Sequence, residues 1–343
     1  MTAVLERLIA GHDLDASDAT ALFSALTDPF TPAPLVGALL AALRAKGETA
    51  VEIGALARAM RALAFPCDLG TTDRLVDVVG TGGDGAGSFN LSTGAALLAA
   101  AAGAHVAKHG GGAVSSRSGS ADVLAALGLS LPLSPPDARA LFRSTGFTFL
   151  HAPYFHPALR GLAPIRRALA TRTAFNLVGP LCNPAGPPFA VVGACSPGAA
   201  EAMALALSEL PVERAFVIHG ASGWDEPTPI GPFRLFEVTP HGVVASERDP
   251  LAMGLARCGP DSLRGGDAAD NARALTAVFH GERGAHRDAL VLGAALALEV
   301  TARSSDMAGG AAMARAALDD GRAARLLDSL SAFSARDGGQ SHA

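Results

Sequence analysis

Three short segments of this 343-residue chain hold most of the residues able to act on a charged ligand. The first is VVGTGGDGAGSFNLSTG, residues 78–94. Its glycines expose backbone N–H groups, and Asn90, Ser92 and Thr93 can cap a following helix or face an anion drawn to that helix start. The second is KHGGGAVSSRSGSADVL, residues 108–124. Lys108 and His109 lead into Gly110, Gly111 and Gly112, and then Ser115, Ser116, Arg117, Ser118 and Ser120 offer hydroxyl and cationic donors. The third is Asp225-Glu226 in a loop rich in Pro and Gly. Adjacent carboxylates in such a loop suit a hard divalent cation that takes oxygen ligands.

Each segment also has a plain alternative. The first could be an ordinary glycine-rich turn, the second a solvated Gly/Ser loop, the third an exposed acidic pair. The residues nevertheless exclude several specific sites. Gly80, Gly82 and Gly85 satisfy G-x-G-x-x-G, but no acidic residue lies between Asp84 and Asp122, where a dinucleotide ribose would need one. The G-x-x-x-x-G-K-[ST] phosphate loop is absent, and HGGG has no G-x-S-x-G nucleophile elbow to serve.

The elements that must position these loops are legible around them. Residues 1 to about 65 read as helices, with apolar residues recurring at three and four and Ser17 or Asp18 available as a cap. From Leu75 the pattern changes: LVDVVG is a short β-branched run that ends in glycine, and HVAKHG, FAVVGAC, RAFVIHG and FRLFEVT read as further short strands. Helical segments alternate with them, so an α/β domain with a largely parallel sheet is expected, with ligands at the carboxyl ends of strands. Hydrophobic residues make up 49% of the chain with few aromatics, which suits closely packed helices. The net charge of −5 and the lack of a basic block disfavour nucleic acid as the main partner. Cys67, Cys182, Cys195 and Cys258 form no CxxC pair, which suits free thiols in a reducing compartment. The N-terminus lacks a signal-peptide pattern, and the longest apolar stretch, Gly94 to Ala104, is about half a membrane span, so a cytoplasmic protein is expected, with no membrane partner.

Taken together, GTGGDG…SFNLST, KHGGGAVSSRSGSADVLAALG and FHPALRGLAPIRRALATRTAFNLVGPLCNPA resemble the signatures of the anthranilate phosphoribosyltransferases, in that family's order. These enzymes belong to the nucleoside-phosphorylase type II superfamily. The helical start, with RAKGETAVEIGALARAMR, is similar too, so the resemblance covers essentially the whole chain. It implies a small helical domain at residues 1–70, joined by about 160–185, and a large α/β domain at 71–160 and 186–343, with a central, mostly parallel sheet flanked by helices. It also implies transfer of the phosphoribosyl group of phosphoribosyl pyrophosphate to anthranilate, a step of tryptophan biosynthesis, by a homodimer.

The resemblance places the donor on Gly80, Gly83, Asp84, Ser88, Asn90, Leu91, Ser92 and Thr93. The site continues through Lys108, His109, Gly110, Gly111, Gly112, Ser115, Ser116 and Ser120. Two Mg²⁺ ions are implied, with ligands at Ser92, Asp225 and Glu226. The acceptor falls on Gly80, Gly111, His109, His156 and Arg166, whose guanidinium suits a carboxylate. An aromatic amine is already a neutral nucleophile, so no nucleophilic or basic side chain is assigned. The family's KHGNR reads KHGGG here, with Gly111 and Gly112 for the Asn and the Arg. That change keeps a second reading open, a transferase of the same fold with another aromatic acceptor. A non-catalytic binding homologue and a pyrimidine nucleoside phosphorylase are further alternatives; the intact Lys108, Ser92, Asp225 and Glu226 disfavour the first, and the acidic pair with PIRRALATRTAFN disfavours the second.

Overall fold

A computed structural model describes residues 1–113 and 117–337; Ser115 and Ser116 lie outside the described residues. The chain opens with four helices: α1 (Thr2–Ile9), α2 (Ala16–Thr27), α3 (Ala33–Lys46) and α4 (Ala50–Ala62). Asp15 caps α2, accepting from the N–H groups of Ser17 and Asp18 at 2.9 Å. The expected caps Ser17 and Asp18 therefore lie inside the first turn. Thr49 and Glu52 form a capping box on α4. The Glu52 carboxylate is buried and also accepts from Leu14 N–H at 2.9 Å, tying the α1–α2 link to α4.

A seven-stranded sheet follows: β1 (Leu75–Gly80), β2 (His105–Gly110), β3 (Phe147–His151), β4 (Phe189–Gly193), β5 (Arg214–His219), β6 (Phe233–Thr239) and β7 (Gly242–Arg248). Its order is β3-β2-β1-β4-β5-β6-β7, parallel from β3 to β5 and antiparallel at β6 and β7. The five runs expected from sequence all form strands. Two strands escaped that reading. FTFLH runs on from the helix Pro135–Thr145 after a single residue, while GVVASER is a largely exposed edge strand that depends on its hairpin with β6.

The remaining helices are α5 (Leu91–Ala101), α6 (Ser120–Ala126), α7 (Pro135–Thr145), α8 (Ala152–Phe155), α9 (Leu162–Leu169), α10 (Ala174–Val178), α11 (Pro197–Ser208), α12 (Ala268–Phe279), α13 (Ala285–Val300), α14 (Met307–Asp319) and α15 (Arg322–Asp337). One core joins α5, α12, α13, α14 and α15 to a face of the sheet. Small residues bring these helices close: a Cβ on Gly293 would lie 2.7 Å from the Cβ of Ala95, so α13 rides directly on α5. The second core joins α1–α4 to α11 and the opposite sheet face, through Leu39, Leu56, Met203, Val192 and Val217. Leu162 of α9 and Phe175, Leu177 and Val178 of α10 are buried in this same core, against α3 and α4. Among the described residues no helix is long and apolar enough to cross a membrane.

Strand order reverses direction at β1, with β2 and β3 on one side and β4 and β5 on the other. The crevice outside the carboxyl ends of β1 and β4 is where such a sheet receives a ligand. Both glycine loops and the acidic pair open onto it.

Candidate functional site

Beneath the crevice lies a buried polar floor. Asp77 on β1 accepts from the His109 N–H at 3.1 Å and from Asn183 Nδ2 at 2.9 Å. Asn183 Nδ2 also donates to the Ala107 carbonyl at 2.7 Å, locking β2 to β1 at this level. Burial pushes the Asp77 carboxyl up to about 6, opposed by the neighbouring Lys108. Lys108 is itself buried; its Nζ donates to the Val78 carbonyl and, at 3.2 Å, to Ser92 Oγ. Burial lowers its pKa, against the pull of Asp77 and Glu226. The floor thus fixes a cation directly below the start of α5.

The acidic pair closes one side. Asp225 Oδ2 accepts from the Gly82 N–H at 2.5 Å, which Gly82 presents through its left-handed backbone (φ 65°). The Asp225 N–H donates to Asp84 Oδ2 at 3.2 Å, and the Ser92 N–H donates to Glu226 Oε1 at 3.1 Å. Burial first, then Asp84, pushes Asp225 up to about 7; burial first, then Asp225, pushes Glu226 up to about 8. Two adjacent carboxyls, Asp225 buried and Glu226 half-buried, beside a serine hydroxyl form an oxygen donor set that a hard divalent cation would satisfy. Among the described residues no three His, Cys, Asp or Glu side chains form a metal cage by themselves. Such a cation would need further ligands from water or substrate.

The second loop is pinched at its base. Asp122 Oδ2 accepts from the N–H groups of Ala113 at 2.9 Å and Gly119 at 2.8 Å. Ser120 Oγ donates to the Gly111 carbonyl at 3.3 Å. The two strands of the loop run so close that a Cβ on Gly119 would lie 2.3 Å from the Gly112 carbonyl carbon. Arg117 is exposed.

One cleft of about 270 Å³ gathers these parts. It is lined by Gly80, Gly83, Asp84, Ser88, Asn90, Leu91, Ser92 and Thr93 from the first loop, and by Lys108, His109, Gly110, Gly111, Gly112 and Ser120 from the second. Asp225 and Glu226 complete it. Asn90 lines the cleft but does not cap α5, because the oxygen that would cap is engaged elsewhere: Oδ1 accepts from Asn271 Nδ2 at 2.8 Å, and Nδ2 donates to the Ser118 carbonyl at 3.2 Å. Arg166 and His156 stand behind the lining. Arg166 Nη2 donates to Asn176 Oδ1 at 3.3 Å, and it is Asn176 that reaches the cleft. Burial lowers the Arg166 pKa, and its guanidinium lies 5.6 Å from the Phe175 ring centre. The His156 ring meets His109 edge-on at 5.0 Å. Burial drives His109 well below its ordinary value and His156 to about 4, so both are neutral at pH 7.

Reading the sequence alone overlooks Asp77, Asn183, Asn176 and Asp122. Asp77 sits mid-strand in LVDVVG, where a charged residue on an otherwise apolar strand was the available signal. Asn176 and Asn183 lie inside the quoted TAFNLVGPLCNPA segment, but only the fold shows which of its residues point into the crevice.

Residues 2–64 match the helical bundle domain, and residues 72–324 the α/β domain, of the glycosyl transferase family. The anthranilate phosphoribosyltransferase of Desulforudis audaxviator is 46% identical over 333 residues, 97% of this chain and 96% of that protein. That of Thermomicrobium roseum is 43% identical over 97% and 96% of the two chains. The chain belongs to the anthranilate phosphoribosyltransferases. Solved structures of that family superpose on it. The enzyme of Thermus thermophilus is 41% identical with a TM-score of 0.89, covering 96% of this chain and 99% of its own. The Saccharomyces cerevisiae enzyme, solved in complex with PRPP and Mg, is 26% identical with a TM-score of 0.87, covering 98% of each chain. As an anthranilate phosphoribosyltransferase the protein is a glycosyltransferase acting in tryptophan biosynthesis.

Proposed function

We propose that the cleft binds phosphoribosyl pyrophosphate with Mg²⁺ and transfers its phosphoribosyl group to anthranilate, releasing pyrophosphate. The carrying observation is the convergence of two glycine loops, a buried lysine and an adjacent carboxyl pair on one crevice at the β1/β4 reversal. The first loop and the start of α5 offer N–H and hydroxyl donors to the pyrophosphate and ribose, with Lys108 fixed below them. Ser120 and the backbone of residues 110–112 continue the grip. Asp225, Glu226 and Ser92 would hold the magnesium, as two ions on the family's pattern. Magnesium bound there neutralises charge on the departing pyrophosphate.

The chain's own residues do the rest. Breaking the bond at the anomeric carbon develops positive charge on the ribose and negative charge on the leaving group. Preset N–H donors and the Lys108 ammonium meet the latter without reorganising. Neutral His109, with His156 behind it, gives the acceptor side an uncharged aromatic wall. Arg166 receives the anthranilate carboxylate when the segment carrying α9 and α10 closes on the crevice, with Asn176 as its present link to the lining. Orientation is thus the protein's contribution to the amine, which needs no base.

The protein works as a cytoplasmic homodimer joined through the N-terminal helices. Supporting this reading, Ile9 of α1, Val51 of α4 and Phe30 of the turn between α2 and α3 leave large apolar side chains exposed, Phe30 by 90%.

The deciding assay mixes the protein with phosphoribosyl pyrophosphate, Mg²⁺ and anthranilate and follows loss of anthranilate fluorescence. Turnover that stops on chelating the metal is expected. No turnover, with pyrophosphate released only when another aromatic amine is supplied, would replace anthranilate by that acceptor.

A further inference from the structure

Asn271 lies on α12, outside the cleft lining, and is 2% exposed. Its Oδ1 accepts from the Gly266 N–H at 2.7 Å. Its Nδ2 donates to Asn90 Oδ1 at 2.8 Å, and Asn90 Nδ2 donates in turn to the Ser118 carbonyl at 3.2 Å. Both ends of this relay are backbone groups. An N–H can only donate and a carbonyl can only accept, so the orientation of both side-chain amides is dictated from the ends inward. Asn90 belongs to the first glycine loop and Ser118 to the second. The relay therefore ties the two loops to each other and to α12.

The segment leading into α12 backs the same loop at other points. The Phe89 N–H donates to the Leu263 carbonyl at 3.0 Å, and the Gly265 N–H to the Gly87 carbonyl at 2.9 Å. A Cβ on Gly265 would lie 2.6 Å from the Ser88 carbonyl oxygen, so the backing is in direct contact. The Phe89 ring stacks on His286 of α13 at 4.4 Å. Within this backing, Asn271 is the side chain whose bond reaches through Asn90 to the second loop.

We propose that Asn271 is a positioning residue of the donor site: it orients Asn90 and so sets the spacing of the two loops that grip one phosphoribosyl pyrophosphate. This rests on the assignment of those loops to that donor. Asn271→Asp keeps the acceptor for Gly266 but sets an oxygen against Asn90 Oδ1. The KM for phosphoribosyl pyrophosphate should rise about tenfold, while the KM for anthranilate stays within about twofold. Asn90→Ala removes the partner, so adding Asn271→Asp to it should raise the donor KM no further. Asn271→Ala, which breaks the relay without placing oxygen against oxygen, is measured alongside.

A folded variant with a lower melting temperature but unchanged donor KM would make Asn271 purely structural and overturn the proposal. Effects of Asn271→Asp and Asn90→Ala that multiply would do the same, as would failure of both Asn271 variants to fold. Calorimetric titration of the wild type with phosphoribosyl pyrophosphate and Mg²⁺ separates the two levels. Absence of binding there removes the donor assignment and the proposal together; binding that Asn271→Asp leaves unchanged removes the proposal alone.

Discussion

Gly111 lines the cleft where the family pattern carries an asparagine, and a Cβ there would meet nothing nearer than Pro153 Cδ at 4.0 Å. The backbone at Gly111 is not left-handed, so a side chain is sterically free to stand there. Gly111→Asn should therefore fold normally and lower the anthranilate KM by roughly tenfold, the worth of one buried hydrogen bond. Steady-state kinetics at saturating donor checks this; an unchanged anthranilate KM would show that the amide has no part in acceptor binding. The acidic pair makes a second prediction. A carboxyl whose folded pKa is raised stabilises the fold in its protonated form, and that contribution is lost as pH rises through the folded pKa. For Asp225 and Glu226 the loss runs from their ordinary values of 3.8 and 4.5 to about 7 and about 8. Neutral His109 and His156 act oppositely, but only up to their ordinary value of 6.5. Without metal, the wild-type melting temperature should fall relative to Glu226→Gln from about pH 4.5 to about pH 8, and Mg²⁺ should restore the wild type more than the variant. Parallel melting curves would mean that Glu226 is ionised at no cost in the free protein.

Between elements, the site depends on close backbone approach. The Asp225-Glu226 loop crosses the ends of β4 and β5 so tightly that a Cβ on Gly193 would lie 1.6 Å from the Asp225 carbonyl oxygen, and one on Gly220 2.0 Å from that of Glu226. Gly193→Ala must displace the carboxyl pair. It should destabilise by about 1–3 kcal/mol and reduce kcat/KM roughly 100-fold, the scale of a misplacement of about 1 Å. Gly198→Ala on α11, where a Cβ meets nothing within 4 Å, is the matched control and should leave both within error. Kinetics and thermal melts on the pair decide it, and equal behaviour of the two variants would contradict the role of close approach. The α9–α10 pair carries the other element-scale prediction. Arg166→Ala should raise the anthranilate KM about tenfold or more with little change for the donor; an unchanged anthranilate KM would place the carboxylate elsewhere. Strand β1 was readable because its β-branched run ends in glycine, whereas β3 runs on from α7 after a single residue and β7 is too exposed to alternate.

Across the whole molecule, the exposed apolar side chains of the N-terminal helices carry the assembly prediction. Sedimentation should show twice the mass of one chain, and Phe30→Asp should shift it toward the monomer; a wild-type monomer at micromolar concentration would end the dimer reading. What the sequence determined by itself was local: glycine loops after strands, a lysine and hydroxyls within them, a carboxyl pair in a turn, and helices before an α/β pattern. Those features depend on residue type and short spacing, which one chain displays directly. The tertiary structure alone decided how separated segments meet. Asp77 and Asn183 are 106 residues apart and Asn90 and Asn271 are 181 apart, yet each pair shares a hydrogen bond. Nothing in local propensity encodes such pairings, because they arise when buried polar groups must find partners in a packed interior. The reversal of strand order at β1 brings the loops, the floor and the acidic pair into one crevice.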